Sequence, residues 1–446
     1  MNTRHDDYLF GRRQTWWIFS LFCILMMFDF ADRMVIAAVL PHIRDTWQLT
    51  DAQSGMLGSA LFLCMVLFAL PTSFFIDRWS RTKTAGLMGG IWCLASGAGA
   101  FVTSFPQLLF TRAIVGAGEA GYLPAGIAWL SAAFPRRRRQ FALGILLSSQ
   151  SVGTLLGLIA GALIATHFGW RHALGLLALP GLVVAILIYR SKDYPNVKFV
   201  PPAPDAPLVA GPDADLESGA RSVPLRFEGF RIIARTPSLW LVYLALSMLC
   251  LNGIGMQYFM PTLFHRIHGV SLQNAAFISS AVLLTTAIAG PLGGWIMDRG
   301  SLFRPENKLT FAFCAFGVST LLHVFTFGVV ENLFPRFGLM LLSSFIAGMG
   351  ITSILTVTQE LVPQRYRALS STCCITFAHL LGSVPGPWFA GRLSDAYGLI
   401  HAFLILGVAC GLASAFFFLI ARRFYTRDYA RTHAYRQPFS ANGAAA

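Results

Sequence analysis

Residues 153–173 read GTLLGLIAGALIATHFGWRHA, and residues 382–402 read GSVPGPWFAGRLSDAYGLIHA. Gly153, Gly157, Gly169, His172 and Ala173 of the first stretch return 229 positions later as Gly382, Gly386, Gly398, His401 and Ala402. The correspondence extends outward. SFFIDRWSR around Asp77 and Arg78 recurs 221 positions later as GGWIMDRGS around Asp298 and Arg299, while Pro41 is matched by Pro261 and Gln53 by Gln273. Self-similarity at a fixed offset marks a structure built from repeated units. Here the unit is half the chain.

Each half is a series of apolar runs. Apolar residues make up 55% of the chain and charged ones only 12%, against about 25% charged in a soluble domain. A run of roughly 18 apolar residues crosses the hydrocarbon of a bilayer as a helix. Twelve such runs are centred near residues 28, 64, 92, 120, 152, 180, 251, 284, 319, 347, 378 and 409. The expected fold is an all-α integral membrane protein of twelve transmembrane helices in two pseudo-symmetric six-helix bundles. Residues 15–190 form the first bundle and 238–423 the second, with a short terminus over 1–14. Between the bundles, 191–237 reads as a linker, because VPPAPDAPLVAGPDADLESG has too little apolar content to build a core. LRFEGFRIIAR at 225–235 is weakly amphipathic and suits a membrane surface. The tail, 424–446, is polar and expected to be disordered. Two parallel repeats joined in this way suit a transporter that rocks about a substrate held between them near the midplane.

The net charge of +14 raises the question of nucleic acid, and its placement answers it. Of the 34 Lys and Arg residues, 27 fall in the termini and alternate loops on one side, and four fall on the other. That asymmetry is the positive-inside pattern. It predicts cytoplasmic termini and linker in a cell inner membrane, with the bilayer, not nucleic acid, as the partner; a monomer is expected. The first apolar stretch is too long and too charged for a cleavable signal. All eight cysteines lie in apolar spans without zinc or redox spacing, so neither a metal nor another cofactor is expected. Gly116, Gly118 and Gly121 spell G-x-G-x-x-G, but no strand precedes them; close helix contact is the better reading. G-x-S-x-G, H-E-x-x-H and Walker sequences are absent, and an enzyme is not expected.

SFFIDRWSRTK after the second run resembles the G-x-x-x-D-R-x-x-R-[RK] signature of the major facilitator superfamily, with Ser73 where glycine is usual. Arg112 followed by GAGEAGY resembles the R-x-x-x-G element of the fourth helix in that superfamily. Asp32-Arg33, RAIVGAGEAGY at 112–122, QELVPQRYRA at 359–368 and GPWFAGRLSD at 386–395 together resemble its Spinster-like branch. Asp32, Arg33, Arg112 and Glu119 also resemble the pattern of organic-anion:cation symporters, which include sugar-acid and sialic-acid carriers. The resemblance covers residues 15–423. It implies that helices 1 and 4 line a central cavity, and that Asp77 latches an inner gate against the start of helix 11. A carboxylate there meets the positive end of the helix dipole. Arg78, Arg81, Asp298 and Arg299 are the accompanying gate candidates.

Charges inside a span cost about 2.5 to 3.5 kcal/mol each at the helix centre. Helix 1 nevertheless holds Asp29, Asp32 and Arg33, at spacings that share one helical face. Helix 4 holds Arg112 and Glu119. At 1.5 Å of rise per residue, Asp32 lies roughly 12 Å and Arg112 roughly 8 Å below the outer surface, so the two are placed to pair. Asp29 and Glu119 both fall roughly 17 to 18 Å down. Two carboxylates at one depth favour uptake of a proton. Glu119, with Asp32 and Asp29, is therefore the proton-coupling candidate. Arg33 has no evident carboxylate partner in the sequence and is the candidate for binding an anionic substrate, since a guanidinium forks onto a carboxylate. Asn252 occupies the repeat position of Asp32. With Gln257, Tyr258, Gln150 and His379 it is expected to read substrate shape from a second half that is nearly uncharged; Thr285 is a further polar candidate.

The resulting expectation is a secondary transporter, a proton-coupled symporter of a small organic anion working by alternating access. A Spinster-like carrier or exporter of lysolipid or another amphiphile is the alternative within transport. A non-transporting membrane sensor is the alternative outside it.

Overall fold

The computed structural model describes residues 8–194, 229–299, 307–363 and 366–434. The expected linker over 195–228 and the expected tail beyond 434 lie outside the described residues, as do the side chains of Asp77, Asp298 and Arg299. Helices account for nearly everything described. The first half holds α1 (Arg12–Trp47), α2 (Asp51–Arg78), α3 (Arg81–Ala98), α4 (Phe105–Ala133), α5 (Arg136–Phe168) and α6 (Trp170–Tyr189). The second holds α7 (Pro237–His268), α8 (Leu272–Arg299), α9 (Asn307–Gly328) and α10 (Leu333–Glu360). It closes with α11, made of Arg367–Ala378, a π segment His379–Ser383 and Pro385–Tyr397, and with α12 (Leu399–Ala434). A short helical piece over 229–234 precedes α7.

Nine of these helices are apolar and long enough to cross a membrane by composition alone. The three others are α1 and α4, which carry the charges of the site, and α11, which its π segment divides. Large side chains such as Phe101, Phe334 and Leu70, each more than 80% exposed, cover the outside of the bundle. In water such a surface associates; in a bilayer it faces lipid. The chain is a multi-pass membrane protein.

The repeat read from the sequence is a repeat of contacts. A Cβ on Gly153 would sit 2.1 Å from the Met27 carbonyl oxygen, and one on Gly157 2.2 Å from that of Ala31. In the second half, Gly382 faces the Ser247 oxygen at 2.4 Å and Gly386 the Leu251 oxygen at 2.7 Å. The offset that relates Pro41 to Pro261 carries Met27 onto Ser247 and Ala31 onto Leu251. The α1–α5 and α7–α11 seams are thus one close contact made twice, each needing the absence of a side chain.

The apolar core has three parts. At the end of the molecule away from the chain termini, one cluster draws on both halves, with Val39, Leu40 and Leu158 beside Phe259, Leu263 and Phe403. Toward the terminal end the core divides. Phe22, Trp129, Phe134 and Leu146 pack within the first half, and Tyr243, Phe316, Val357 and Phe418 within the second. The halves therefore close on each other at one end and part at the other.

The last helix departs from expectation. It runs to Ala434, well past residue 423, where a disordered tail was expected. Asp428 explains the extension: its carboxylate accepts bonds from Ser238 Oγ (2.6 Å) and Ser238 N (3.2 Å) in the first turn of α7. Thr432 Oγ1 donates to the Leu361 carbonyl at 2.9 Å. A carboxylate at a helix N-terminus satisfies amides that have no partner within the helix, and here it ties the tail to the bundle.

Candidate functional site

α1 and α4 build the charged centre. Gly116 allows α4 to approach α2, since a Cβ there would lie 2.0 Å from the Leu61 carbonyl oxygen. Gly118 does the same against Trp92 of α3, at 2.8 Å. The G-x-G-x-x-G spelling thus serves helix packing. Arg112 and Glu119 face α1 as a result. Arg112 Nη1 lies 3.2 Å from Asp32 Oδ2. Ser96 of α3 completes a triangle: its hydroxyl donates to Asp32 Oδ1 and accepts from Arg112 Nη2 at 3.1 Å. This pair is charge-balanced and buried.

Arg33 corrects the sequence reading. It has two carboxylate partners where none was evident: Nη2 is 3.0 Å from Asp29 Oδ2, and Nε is 2.9 Å from Glu119 Oε2. The first partner was legible at i,i+4; the second depends on how α4 is rotated. Tyr122, one turn after Glu119, donates its hydroxyl to Asp29 Oδ2 at 2.9 Å. The guanidinium also lies 4.5 Å from the Phe30 ring centroid. Two carboxylates thus face one guanidinium. A single proton on either carboxylate would bring the three groups to charge balance. Without that proton, Asp29 Oδ1 and both Glu119 oxygens are buried acceptors with no hydrogen-bond donor, the Arg33 Nε–Glu119 Oε2 contact being an ion pair without hydrogen-bond alignment.

A cavity of about 450 Å³ lies apart from this centre, mostly within the second half. Gln150 of α5, Asn252 and Gln257 of α7, and His323 of α9 are on its wall. Most of the remaining wall is apolar, and none of its described residues is Asp, Glu, Lys or Arg. Arg33 and Arg112 border a separate void of about 20 Å³ with Tyr258. Ile254 and Gln257 line both spaces and stand between them. Gln257 Nε2 is held 3.3 Å from Met34 Sδ of α1. The Tyr258 hydroxyl is buried without a partner. His379 lines neither space; its ring stacks on Phe62 with centroids 5.9 Å apart, and Nδ1 is 3.0 Å from Ser383 Oγ. Thr285 bonds back to the Val282 carbonyl of its own helix at 2.7 Å.

At the closed end lies a cluster that sequence reasoning passed over as ordinary loop charge. Thr50 and Gln53 form a reciprocal capping box at the start of α2, with bonds of 3.1 and 3.0 Å. Asp395 of α11 adds bonds to the amides of Asp51 (2.7 Å) and Ala52 (2.9 Å), capping α2 from the other half. The Asp51 carboxylate accepts a forked pair from Arg266 at 2.7 and 2.8 Å and a bond from Ser394 Oγ at 2.5 Å. Arg44 Nε stands 3.1 Å away. The sequence signals were the Thr50-x-x-Gln53 spacing of a capping box and the acid that ends GPWFAGRLSD. At the other end, Arg81 lies over the Tyr194 ring at 4.2 Å, and its amide donates to Asp193 at 2.6 Å.

The model for the Major Facilitator Superfamily matches residues 21–380. The chain belongs to the major facilitator superfamily. It is a transporter of that fold. Among its relatives, an MFS-type efflux pump of Mycolicibacterium smegmatis is 25% identical over 440 residues, covering 96% of this chain and 97% of that protein. The 4-hydroxybenzoate transporter PcaK of Pseudomonas aeruginosa is 26% identical, covering 84% and 86%. A solved bacterial homologue of the human lysosomal transporter Spinster, inward-facing and unoccupied, superposes with a TM-score of 0.76 at 21% identity. That superposition covers 97% of this chain and all of that one.

Proposed function

We propose that the chain is a proton-coupled symporter that moves a small organic anion by alternating access. One observation carries this reading: a buried guanidinium, Arg33, is held by two carboxylates while the neighbouring Asp32–Arg112 pair is already balanced. An uncompensated buried charge is costly. One proton on Glu119 removes the excess negative charge and lets the Nε of Arg33 turn from Glu119 toward a substrate carboxylate. The substrate would occupy the cavity and meet Arg33 past Gln257, whose contact with Met34 closes that route in this state. With the termini in the cytoplasm of the cell, the parted end is the inward mouth, and the Asp51 cluster closes the outer one.

In this scheme Asp32 keeps Arg112 in place, and Asn252, Gln150 and Tyr258 contact the substrate. The gate roles of Asp77, Arg78, Arg81, Asp298 and Arg299 stand as part of the same proposal. The test is uptake into proteoliposomes under an imposed pH gradient. Glu119→Gln imitates the protonated form; it should abolish accumulation yet retain counterflow exchange, whereas Arg33→Ala should lose substrate binding. Accumulation by Glu119→Gln in response to pH would remove Glu119 from the coupling role.

A second reading is a carrier of an amphiphile, favoured by the uncharged and mainly apolar cavity wall. Competition separates the two. An anion carrier is inhibited by short aromatic or sugar acids, and an amphiphile carrier by lysolipid. Binding of either class with no flux in vesicles would assign the chain to sensing.

A further inference from the structure

The interior of the second half holds a polar group that the coupling scheme does not use. His323, Ser319 and Ser343 are clustered on the wall of the 450 Å³ cavity, between α9 and α10. His323 Nδ1 lies 2.8 Å from the Ser319 carbonyl oxygen and 3.0 Å from Ser343 Oγ. The two serine hydroxyls are 2.8 Å apart, and Ser343 Oγ is 3.3 Å from the same carbonyl. A carbonyl oxygen only accepts, so the proton of the ring sits on Nδ1 and Ser343 supplies the second donor to that oxygen. The neutral imidazole then presents Nε2 as an acceptor. No described side chain donates to it. Gly407 of α12 lets the ring pack closely on that helix, since a Cβ there would lie 2.8 Å from Cδ2.

The surroundings make this acceptor selective. Phe316, Phe327 and Met340 share the wall with it, and no carboxylate does among the described residues. In apolar surroundings an acceptor that a ligand leaves unmet costs free energy, whereas in water it costs nothing.

We propose that His323, oriented by Ser319 and Ser343, is the subsite that recognises a hydrogen-bond donor, a hydroxyl above all, on the apolar body of the transported molecule. This deepens the transport reading and rests on it in one respect: the substrate occupies this cavity. The preferred substrate class is then a hydroxylated, largely apolar organic molecule, with the hydroxyl distant from whatever group Arg33 binds.

The test uses the purified full chain in nanodiscs and four probes, 4-hydroxybenzoate, benzoate, phenol and toluene, with affinities from ligand-observed NMR titration. The wild type should prefer the hydroxylated member of each pair roughly three- to tenfold, the worth of one hydrogen bond. His323→Asn places an amide nitrogen near Nδ1 but ends short of Nε2, and it should lose both preferences. His323→Gln places an amide oxygen near Nε2 and should retain them. Equal affinities within both pairs in the wild type, preferences intact in His323→Asn, or binding of none of the four probes would overturn the proposal. Benzoate against toluene reports separately on the anion reading. If that ratio is one while the hydroxyl preference persists, the Arg33 assignment fails and the His323 subsite stands.

Discussion

The two halves share a backbone plan and differ in chemistry. Seams α1–α5 and α7–α11 repeat residue by residue, yet Asp32 in the first half, paired with Arg112, corresponds to Asn252 in the second, which borders a cavity. All five intramembrane charges of the site, Asp29, Asp32, Arg33, Arg112 and Glu119, lie in the first half. The second half offers neutral hydrogen-bonding groups around open space. A duplicated scaffold can thus separate the task of holding a proton from that of holding a substrate, because helix packing depends on small residues at seams and leaves the cavity-facing positions free to diverge.

The sharpest way to break this comparison is to treat the repeat partners alike. Removing one member of a buried ion pair leaves a stranded charge, so Asp32→Ala should cost about 3 to 5 kcal/mol. Asn252→Ala removes only a neutral group and should cost about 1 kcal/mol or less. Thermal and denaturant unfolding in detergent measures both; equal losses would mean that the two positions do the same structural job.

The shared scaffold makes the opposite prediction. Gly153→Ala and Gly382→Ala each drive a methyl into a backbone carbonyl, and each should lose about 1 to 3 kcal/mol. A marked difference between them in the same unfolding assay would limit the repeat to sequence and not to packing.

A smaller effect is expected at the closed end. The α2–α11 seam is latched by Asp51 and Asp395, whereas Thr166, at the repeat position of Asp395, bonds only to the Ala162 carbonyl of its own helix. Asp51→Asn should favour opening by about 1.5 kcal/mol, the worth of a charged hydrogen bond. Thiol labelling of a cysteine placed at Ser59, which bonds the Trp388 amide across the seam, should then accelerate roughly tenfold. Thr166→Ala should leave that rate unchanged. If both variants label alike, the latch is not where the halves are held.

What could be read from sequence follows from local geometry. Apolar length fixes a membrane span, a constant rise per residue fixes depth, and a repeated spacing fixes a repeated seam. Depth placed Asp32 and Arg112 within roughly 4 Å of one level, and the structure has them 3.2 Å apart. Rotation about the helix axis is different, because it is set by every neighbour at once. Glu119 meets Arg33 only after Gly116 and Gly118 seat α4 against α2 and α3. The Asp51 latch joins residues 215 and 344 positions apart along the chain, so no window of sequence contains it. His323 carries no signal of its own in the sequence; only the packing of α9, α10 and α12 places it on the wall of a cavity. The sequence by itself determined a twice-repeated membrane bundle with charge buried in its first half. The tertiary structure alone decided which charges meet, where the halves close and where space is left, since those depend on the mutual rotation of helices distant in sequence.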